Sequence, residues 1–552
     1  MLNSIVNKIL KVERDKLFVA FVDFRKAYDK INRSLLLLKL QLTGIKGLIY
    51  KNIKTMYANI SYSIKVNGGY LSPIQSTLGL KQGGVLSPLL FNLFIDDISL
   101  IFDSSCDPIT FLKNPLSHLL YADDLILMSK SYAGLANCLA KLESFCDKWQ
   151  LEVNISKTKI IIFNKAGKVI KGYDFTYKGQ PIEIVNSYCY LGVEITASNS
   201  INKSRTSLME KACKAMFPLH NVLKKFCIPP RKALKLFNTY IKPIALYNSE
   251  ILAQFSARCI SSIETRKTTI LSSLLQSSTG KAQMKHFKFI LGVKPNCSNL
   301  ATLGELGELP LLFYGLIQML TYWHKLTRMD DNSIAKQVFN YIKQNEPEKY
   351  DWYSSVKFLL NFIGLNHLFD NPNTLNEVKF KDICKTNLER LMVQQWREMV
   401  NAELSIHGQR NKLRLYRDIK RTFQFEPYLD LINDFQSRKK ITKIRCSDHN
   451  LEIETGRHRR TEIHDRICRL CNGNTESEKH FLLECPCFSS IRRRYFGNLH
   501  PDSYIDILQC NNKNNMISLS KYLNKALNIR DEMLLLPKIN RTILESNACC
   551  YL

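Results

Sequence analysis

An α+β fold leading into a long helical region is predicted by three observations. Over the first ~195 residues, short apolar runs of strand length are interleaved with stretches of helical period. After Thr196 the texture turns helical and basic. Further on, cysteines and a histidine gather at metal-ligand spacing between residues 468 and 487.

The elements follow in order. Leu17–Phe24 is a continuous apolar run that reads as a buried strand. Leu35–Leu42 starts a helix. Ser61–Val66, ahead of Asn67-Gly68-Gly69, is half of a hairpin with an Asn-Gly turn. Gly79–Gly84 is a loop, and Pro88 opens a helix through Ile98. Leu119–Met128 is a hairpin carrying acids. Ala133–Trp149 is amphipathic, with Leu135, Leu139, Leu142 and Phe145 on one face. Lys159–Phe163 and Tyr188–Ile195 are again strand-like. Ser204–Phe226 and Arg231–Tyr247 are basic amphipathic helices split by Pro229-Pro230, and residues ~290–435 continue mostly helical. There is no internal repeat and no low-complexity tract.

At 552 residues, with 45% hydrophobic side chains, the chain has material for several cores. Lysine and arginine number 78 against 49 acids, a net charge of +29, which points to a polyanionic partner, most simply nucleic acid. No secretory leader is recognisable, and no run reaches the ~18 apolar residues of a membrane helix, so no membrane partner is expected. Seventeen cysteines in such a chain read as reduced thiols or metal ligands rather than disulfides. Cys549-Cys550-Tyr551-Leu552 only superficially fits a prenylation box, having an aromatic third position and no adjacent basic run.

Tyr121-Ala122-Asp123-Asp124 is the most informative stretch. Two adjacent carboxylates sit between His118-Leu119-Leu120 and Leu125-Ile126-Leu127-Met128. Buried without partners, each would cost several kcal/mol, and a divalent cation is the natural compensation for hard oxygen donors. Asp23 ends the first strand in a similar setting. One acid at a strand end and two at a hairpin tip can converge on a pair of metals, the layout of two-metal nucleotidyl transfer. Tyr28 follows where the chain turns and could stack beneath a sugar, or serve as a core aromatic. Asp29 reads as a helix N-cap or first-turn acid. Gly79-Leu80-Lys81-Gln82-Gly83-Gly84-Val85-Leu86-Ser87-Pro88 lets backbone approach a strand or a nucleotide closely.

Phe21–Asp29, Gly79–Leu93 and Tyr121–Asp124, in this order and spacing, resemble the palm of reverse transcriptases, and within that superfamily the polymerases of non-LTR (LINE-like) retrotransposons. Asn154-Ile155-Ser156-Lys157-Thr158-Lys159 resembles the lysine motif after the active-site hairpin, and Tyr190-Leu191-Gly192 the primer grip. The Leu-Gly-Glu-Leu-Gly stretch at 303–307 resembles a later part of such proteins. The resemblance implies a right-hand polymerase palm at 1–197, an antiparallel sheet with packed helices. It further implies a helical thumb at 198–290, a helical connection at 291–445, a Cys/His module at 446–500 and a helical tail at 501–552. Asp23, Asp123 and Asp124 would hold two Mg²⁺, with Asp124 more a supporting residue. Tyr28 aligns with the steric gate against a ribose 2′-hydroxyl. Gln82, Gly83 and Tyr121 would line the template and nucleotide pocket, and Leu191 and Gly192 the primer. Lys157, with Lys159 as a rival, would assist the leaving pyrophosphate. The partners implied are an RNA template, a DNA primer or target, and dNTPs.

Cys468-x2-Cys471-x8-His480-x4-Cys485 has the spacing of tetrahedral zinc. Its flanks carry Arg457, Arg459, Arg460, Arg466, Arg469 and Arg492 to Arg494, and the whole resembles the C-terminal zinc knuckle of non-LTR retrotransposon proteins. Cys487 could substitute for Cys485, whereas Cys446 and His449 break the spacing. A nuclease built on Pro501-Asp502 and Asp506 lacks a convincing downstream pattern. Asp23 lies close to Met1, so the fingers that precede this point in the family are expected to be largely missing and synthesis to be impaired. The alternative is a catalytically inactive nucleic-acid-binding remnant using the basic thumb and the knuckle, which would have no need of three palm acids. A maturase-like splicing factor fits the Cys/His region less well. Nuclear localisation, or a cytoplasmic ribonucleoprotein, is the expectation from such targets.

Overall fold

A computed structural model describes residues 1–111, 114–345, 351–402, 412–497, 504–509 and 512–535. The chain divides into two compact units: Met1–Ser204 with Met329–Tyr353, and Arg205–Arg328 with Ser354–Leu552. Helix Ile334–Gln344 packs within the first unit, where the Tyr341 ring lies 4.7 Å from Phe111.

The first unit is built on a four-stranded antiparallel sheet, in the order Lys159–Phe163, Leu17–Asp23, Asp124–Ser129, His118–Tyr121. Leu17–Asp23 is central, and a central strand lies between other elements on both faces. Its composition fits: all its residues but Asp23 are buried. Period-two alternation then sorts the side chains. Phe18, Ala20, Val22, Leu125, Leu127, Ile160 and Ile162 join a core with helices Arg33–Leu42, Ser87–Ile95 and Tyr132–Trp149. The opposite face carries Phe21 and Asp23. Against it lies a hairpin of strands Ser187–Tyr190 and Val193–Thr196, with Phe21 stacked 4.8 Å from Tyr188 and 5.6 Å from Tyr190.

Helix Tyr132–Trp149 is capped by the Ser131 hydroxyl, which accepts from the Gly134 amide, and Leu135, Leu139, Leu142 and Phe145 are its buried stripe. The Asn67-Gly68 turn joins Lys65–Val66 to Gly69–Tyr70 with both turn residues at positive φ.

The described part of the second unit is helical. Helices Leu311–Arg328 and Glu377–Asn401 bury Trp323, Leu320, Phe380 and Trp396. The Leu303–Gly307 stretch ends helix Asn299–Leu306. A Cβ at Gly304 would stand 2.5 Å from the Tyr416 hydroxyl and 2.6 Å from the Trp396 ring, so only glycine fits there. Beside it, Glu305 is fully buried. It faces the Arg445 guanidinium at 2.9 Å and accepts from the Tyr428 hydroxyl at 2.6 Å, while Arg445 also meets Glu426 at 2.9 Å and Glu426 meets Lys420. Among the described residues no single helix is long and apolar enough to cross a membrane. The bent pair Asn299–Leu306 and Leu311–Arg328 approaches the requirement by composition, but its Leu303, Leu306, Leu316 and Leu320 are buried inside the unit.

Candidate active site and metal centre

Strand pairing sets Asp23 directly opposite Asp124. Facing positions in an antiparallel pair hold their Cβ atoms about 4.5–5.5 Å apart on one face. Asp123 is one residue away, in the two-residue turn between His118–Tyr121 and Asp124–Ser129. The other turn residue, Ala122, has φ +53°, a left-handed conformation that costs a side-chain-bearing residue of order 1 kcal/mol or more. Burial, then the charges of Asp123 and Asp23, push the Asp124 carboxyl above the usual range. The trio is therefore short of positive charge. Lys157, its ammonium 3.8 Å from Asp23, makes the one ion pair to these acids among the described residues.

Asp23 is held from behind through its main chain: its amide donates to the Thr158 hydroxyl at 3.2 Å, and its carbonyl accepts from the Asn154 amide at 2.7 Å. The two lysine candidates separate. Lys159 is bonded to Glu183 at 2.7 Å, whereas Lys157 is mostly exposed and faces Asp23.

Around the acids stand tyrosines. Tyr121 is paired in register with Asp124 and is 66% exposed. Tyr28 lies flat on Phe91, centroids 4.5 Å apart, and its hydroxyl is raised by burial and by Asp123. Tyr188 is raised by burial, Asp23 and Asp124, and Tyr190 is pushed up to about 12 by burial and Asp124. Leu191 and Gly192, both at positive φ, form the turn of the hairpin that carries these two tyrosines. Gln82 and Gly83 sit in the loop beside Tyr28, with the Gln82 amide donating to Asp29 at 2.9 Å.

Three features here were not read from sequence. Asp29 partners Gln82 instead of capping a helix; the cap of Arg33–Leu42 is Asn32, which accepts from the Ser34 and Leu35 amides. Arg33 is buried and spends its guanidinium on residues 76–79. Tyr188 reaches the acids beside Tyr190. The period-two spacing of Tyr188 and Tyr190 was the available signal; nothing local announces the other two.

In the second unit Cys468, Cys471, His480 and Cys485 bring their ligand atoms within 4.8 Å of one another, a group able to hold a metal ion. Hydrogen bonding from Cys485 and then His480 pulls the Cys468 thiol down to about 3 against its burial, toward the thiolate a metal requires. The His480 Nε2 is 3.3 Å from the Cys471 sulfur, which leaves Nδ1 toward Glu484 at 3.8 Å. Cys446 contacts Cys297 and lies outside the group.

Most of the flanking arginines are engaged within the unit. Arg457 pairs with Glu454 at 3.0 Å, Arg469 with Glu452 at 2.7 Å, and Arg459 also with Glu452. Arg466 donates to the Ile453 and Thr461 carbonyls, and Arg492 to the carbonyls of Leu482 and of Cys485, itself one of the four. The loop between Cys471 and His480 projects two buried acids: Glu476 to Arg530 at 2.7 Å, and Glu478 to Arg414 at 2.6 Å and His449 at 2.9 Å. Pro501-Asp502 lies outside the described residues.

Residues 2–195 match the reverse transcriptase (RNA-dependent DNA polymerase) family. The chain carries a reverse transcriptase domain and resembles the RNA-directed DNA polymerases of non-LTR retrotransposons. A probable RNA-directed DNA polymerase from transposon BS of Drosophila melanogaster is 28% identical over 28% of this chain and 18% of its own length. The RNA-directed DNA polymerase from mobile element jockey of Drosophila funebris is 25% identical over 38% of this chain and 23% of its own. A Pol polyprotein from the type-1 retrotransposable element R2 of Nasonia vitripennis is 26% identical over 30% and 16%. The matched segments span about a fifth of these relatives. A solved telomerase from Candida Tropicalis, in complex with a fragment of telomeric RNA, aligns over 62% of this chain and 51% of its own at 12% identity and a TM-score of 0.28.

Proposed function

We propose that this chain is an RNA-directed DNA polymerase of a non-LTR retrotransposon, extending a primer 3′-hydroxyl on an RNA template by two-metal nucleotidyl transfer. The observation that carries the reading is Asp23 facing Asp124 across the sheet with Asp123 at the adjoining turn. Three hard-oxygen donors, with one exposed lysine as their ion-pair partner among the described residues, suit Mg²⁺. Two such ions held by Asp23, Asp123 and Asp124 would supply activation of the hydroxyl and neutralisation of the triphosphate.

The chain's own residues then have definite tasks. Lys157, beside Asp23, assists the departing pyrophosphate by charge or proton donation. Tyr28, braced on Phe91, excludes a ribose 2′-hydroxyl. Gln82, Gly83 and Tyr121 contact the template and the dNTP, and Leu191 and Gly192 the primer. We assign residues 1–197 as palm and 198–290 as the thumb that follows phosphates of the heteroduplex. Residues 291–445 are then the connection, 446–500 the Cys/His module and 501–552 the tail. We assign Zn²⁺ to Cys468, Cys471, His480 and Cys485, on a donor set of thiolates and one imidazole, with the Glu484 carboxylate 3.8 Å from the His480 Nδ1. The nucleus is the proposed site of action, where a DNA target resides.

Primer extension on an RNA template with Mg²⁺ and dNTPs tests the reading. Extension by the purified chain, falling to background in Asp123→Asn, is the expected result. Tight heteroduplex binding by both proteins without extension by either would overturn it in favour of a binding remnant.

A further inference from the structure

We propose that Asp29 and Arg33 are positioning residues that fix Gln82 in the setting from which it contacts the incoming nucleotide, so that they govern nucleotide affinity and sugar selection. This deepens the polymerase reading and rests on it.

Residues 28–32 and 78–80 are zipped together. The Leu80 amide donates to the Tyr28 carbonyl and the Gly79 amide to the Ile31 carbonyl, both at 2.8 Å, and Asn32 bridges Leu78. The approach is so close that a Cβ on Gly79 would stand 2.5 Å from the Asp29 carbonyl oxygen, at a φ of +79°. Arg33, 8% exposed, then ties down the run leading into the loop. Its Nε donates to the Gly79 carbonyl at 2.9 Å, and its Nη2 to the Leu78 carbonyl at 2.8 Å and the Ser76 hydroxyl at 3.0 Å; its Nη1 donates to the Ser76 carbonyl. A planar fork serving several oxygens at once is something lysine cannot reproduce.

On this base the Asp29 carboxylate accepts from the Gln82 side-chain amide at 2.9 Å. On the far side of the loop the Ser87 hydroxyl donates to the Lys81 carbonyl at 2.5 Å, and Phe91 of the following helix supports Tyr28. Tyr28 and Gln82 are thus held by the same two pieces of backbone, and Asp29 is the side-chain link between them. Among the described residues Arg33 makes no ion pair with Asp23, Asp123 or Asp124, and Asp29 bonds Gln82, so their influence passes through Gln82 and Tyr28.

Single-nucleotide incorporation by the full chain, with dNTP and rNTP, tests this. Removing one hydrogen bond to Gln82 in Asp29→Ala is expected to raise KM for dNTP by roughly 3- to 10-fold, with the loss falling on KM rather than kcat. Discrimination against rNTP falls with it. Asp29→Asn keeps an oxygen that can accept from Gln82 and is expected to restore most of the affinity. In a Gln82→Ala background Asp29→Ala has no further effect, a non-additivity that a general loss of stability would not produce. Arg33→Lys is expected to shift the same KM; if it fails to fold, the Asp29 series alone decides. Full additivity of Asp29→Ala with Gln82→Ala, or a loss confined to kcat, overturns the inference. A wild-type chain that extends while Asp29→Ala behaves identically overturns it alone. A wild-type chain that neither extends nor forms a dNTP-stabilised primer–template complex overturns the polymerase reading, and this with it.

Discussion

Asp23, Asp123 and Asp124 in the first unit, and Glu305, Glu426, Glu476 and Glu478 in the second, are all acids set among apolar side chains, yet their company differs. The glutamates are matched by cations: Arg445 between Glu305 and Glu426, Lys420 on Glu426, Arg530 on Glu476, Arg414 and His449 on Glu478. Burial alone would lift Glu305, but Arg445 outweighs it and holds the carboxyl below its usual range. The aspartates face one another, with Lys157 at their edge, and Asp124 is raised. Matched charges fix a fold. Like charges held together by a sheet keep a demand for positive charge that an added ligand can meet.

The contrast can be broken most forcefully at Arg445. Arg445→Met leaves two buried glutamates facing each other, and removal of one partner from such a network is expected to cost about 3–5 kcal/mol, read as a fall in the denaturation midpoint. Stripping metal from the Cys/His group, or Cys468→Ser, should come next. It frees the loop that carries Glu476 and Glu478, so hydrogen-exchange protection across helix Lys513–Leu535, which supplies Arg530, should drop while the strands of the first unit keep theirs.

Asp124→Asn should act in the reverse sense. It removes a like-charge pair facing across two strands, so stability should rise by roughly 0.2–1 kcal/mol while extension is lost. A variant both inactive and less stable would contradict the account. Acid titration tests the same contrast without a substitution. Burial raises Glu478, but His449 and Arg414 bring it down to about 2, below its ordinary value. An acid lowered on folding contributes stability above its unfolded pKa, and that contribution fades as pH falls from about 4.5 toward 2. Asp124 is raised on folding, so acidification through its folded pKa relieves the repulsion and adds stability. Probes in the two units should therefore move oppositely as the pH is lowered, and parallel movement would count against this assignment of charges.

The same contrast explains what could be read from sequence. Asp23 and Asp123-Asp124 were visible because each interrupts an apolar strand, and the pleat then dictates which residues share their face. Tyr28, Gln82 and Lys157 were visible only as parts of a recognised arrangement; their contacts depend on how loops meet. The Asp29–Gln82 bond spans 53 residues, and Arg33 reaches carbonyls 43 to 46 positions further along the chain. No local pattern encodes such a partner, so Asp29 read as a helix N-cap or first-turn acid. The arginines flanking the Cys/His group likewise depend on partners that no local pattern announces. Arg457 pairs with the buried Glu454, and Arg459 and Arg469 with the buried Glu452.

Those internal pairings bear on how the protein would respond to ionic strength. Each phosphate neutralised by a lysine or arginine releases condensed counterions, so the salt sensitivity of binding counts only cations available to the nucleic acid. Arg457, Arg459, Arg466, Arg469 and Arg492 are committed to glutamates or carbonyls of their own unit. The count of 78 lysines and arginines therefore overstates the cations available to phosphate. The C-terminal region should contribute a shallower dependence of log Kd on log salt than its arginine count suggests, with Arg460 and Arg493 as the positions whose removal flattens it further.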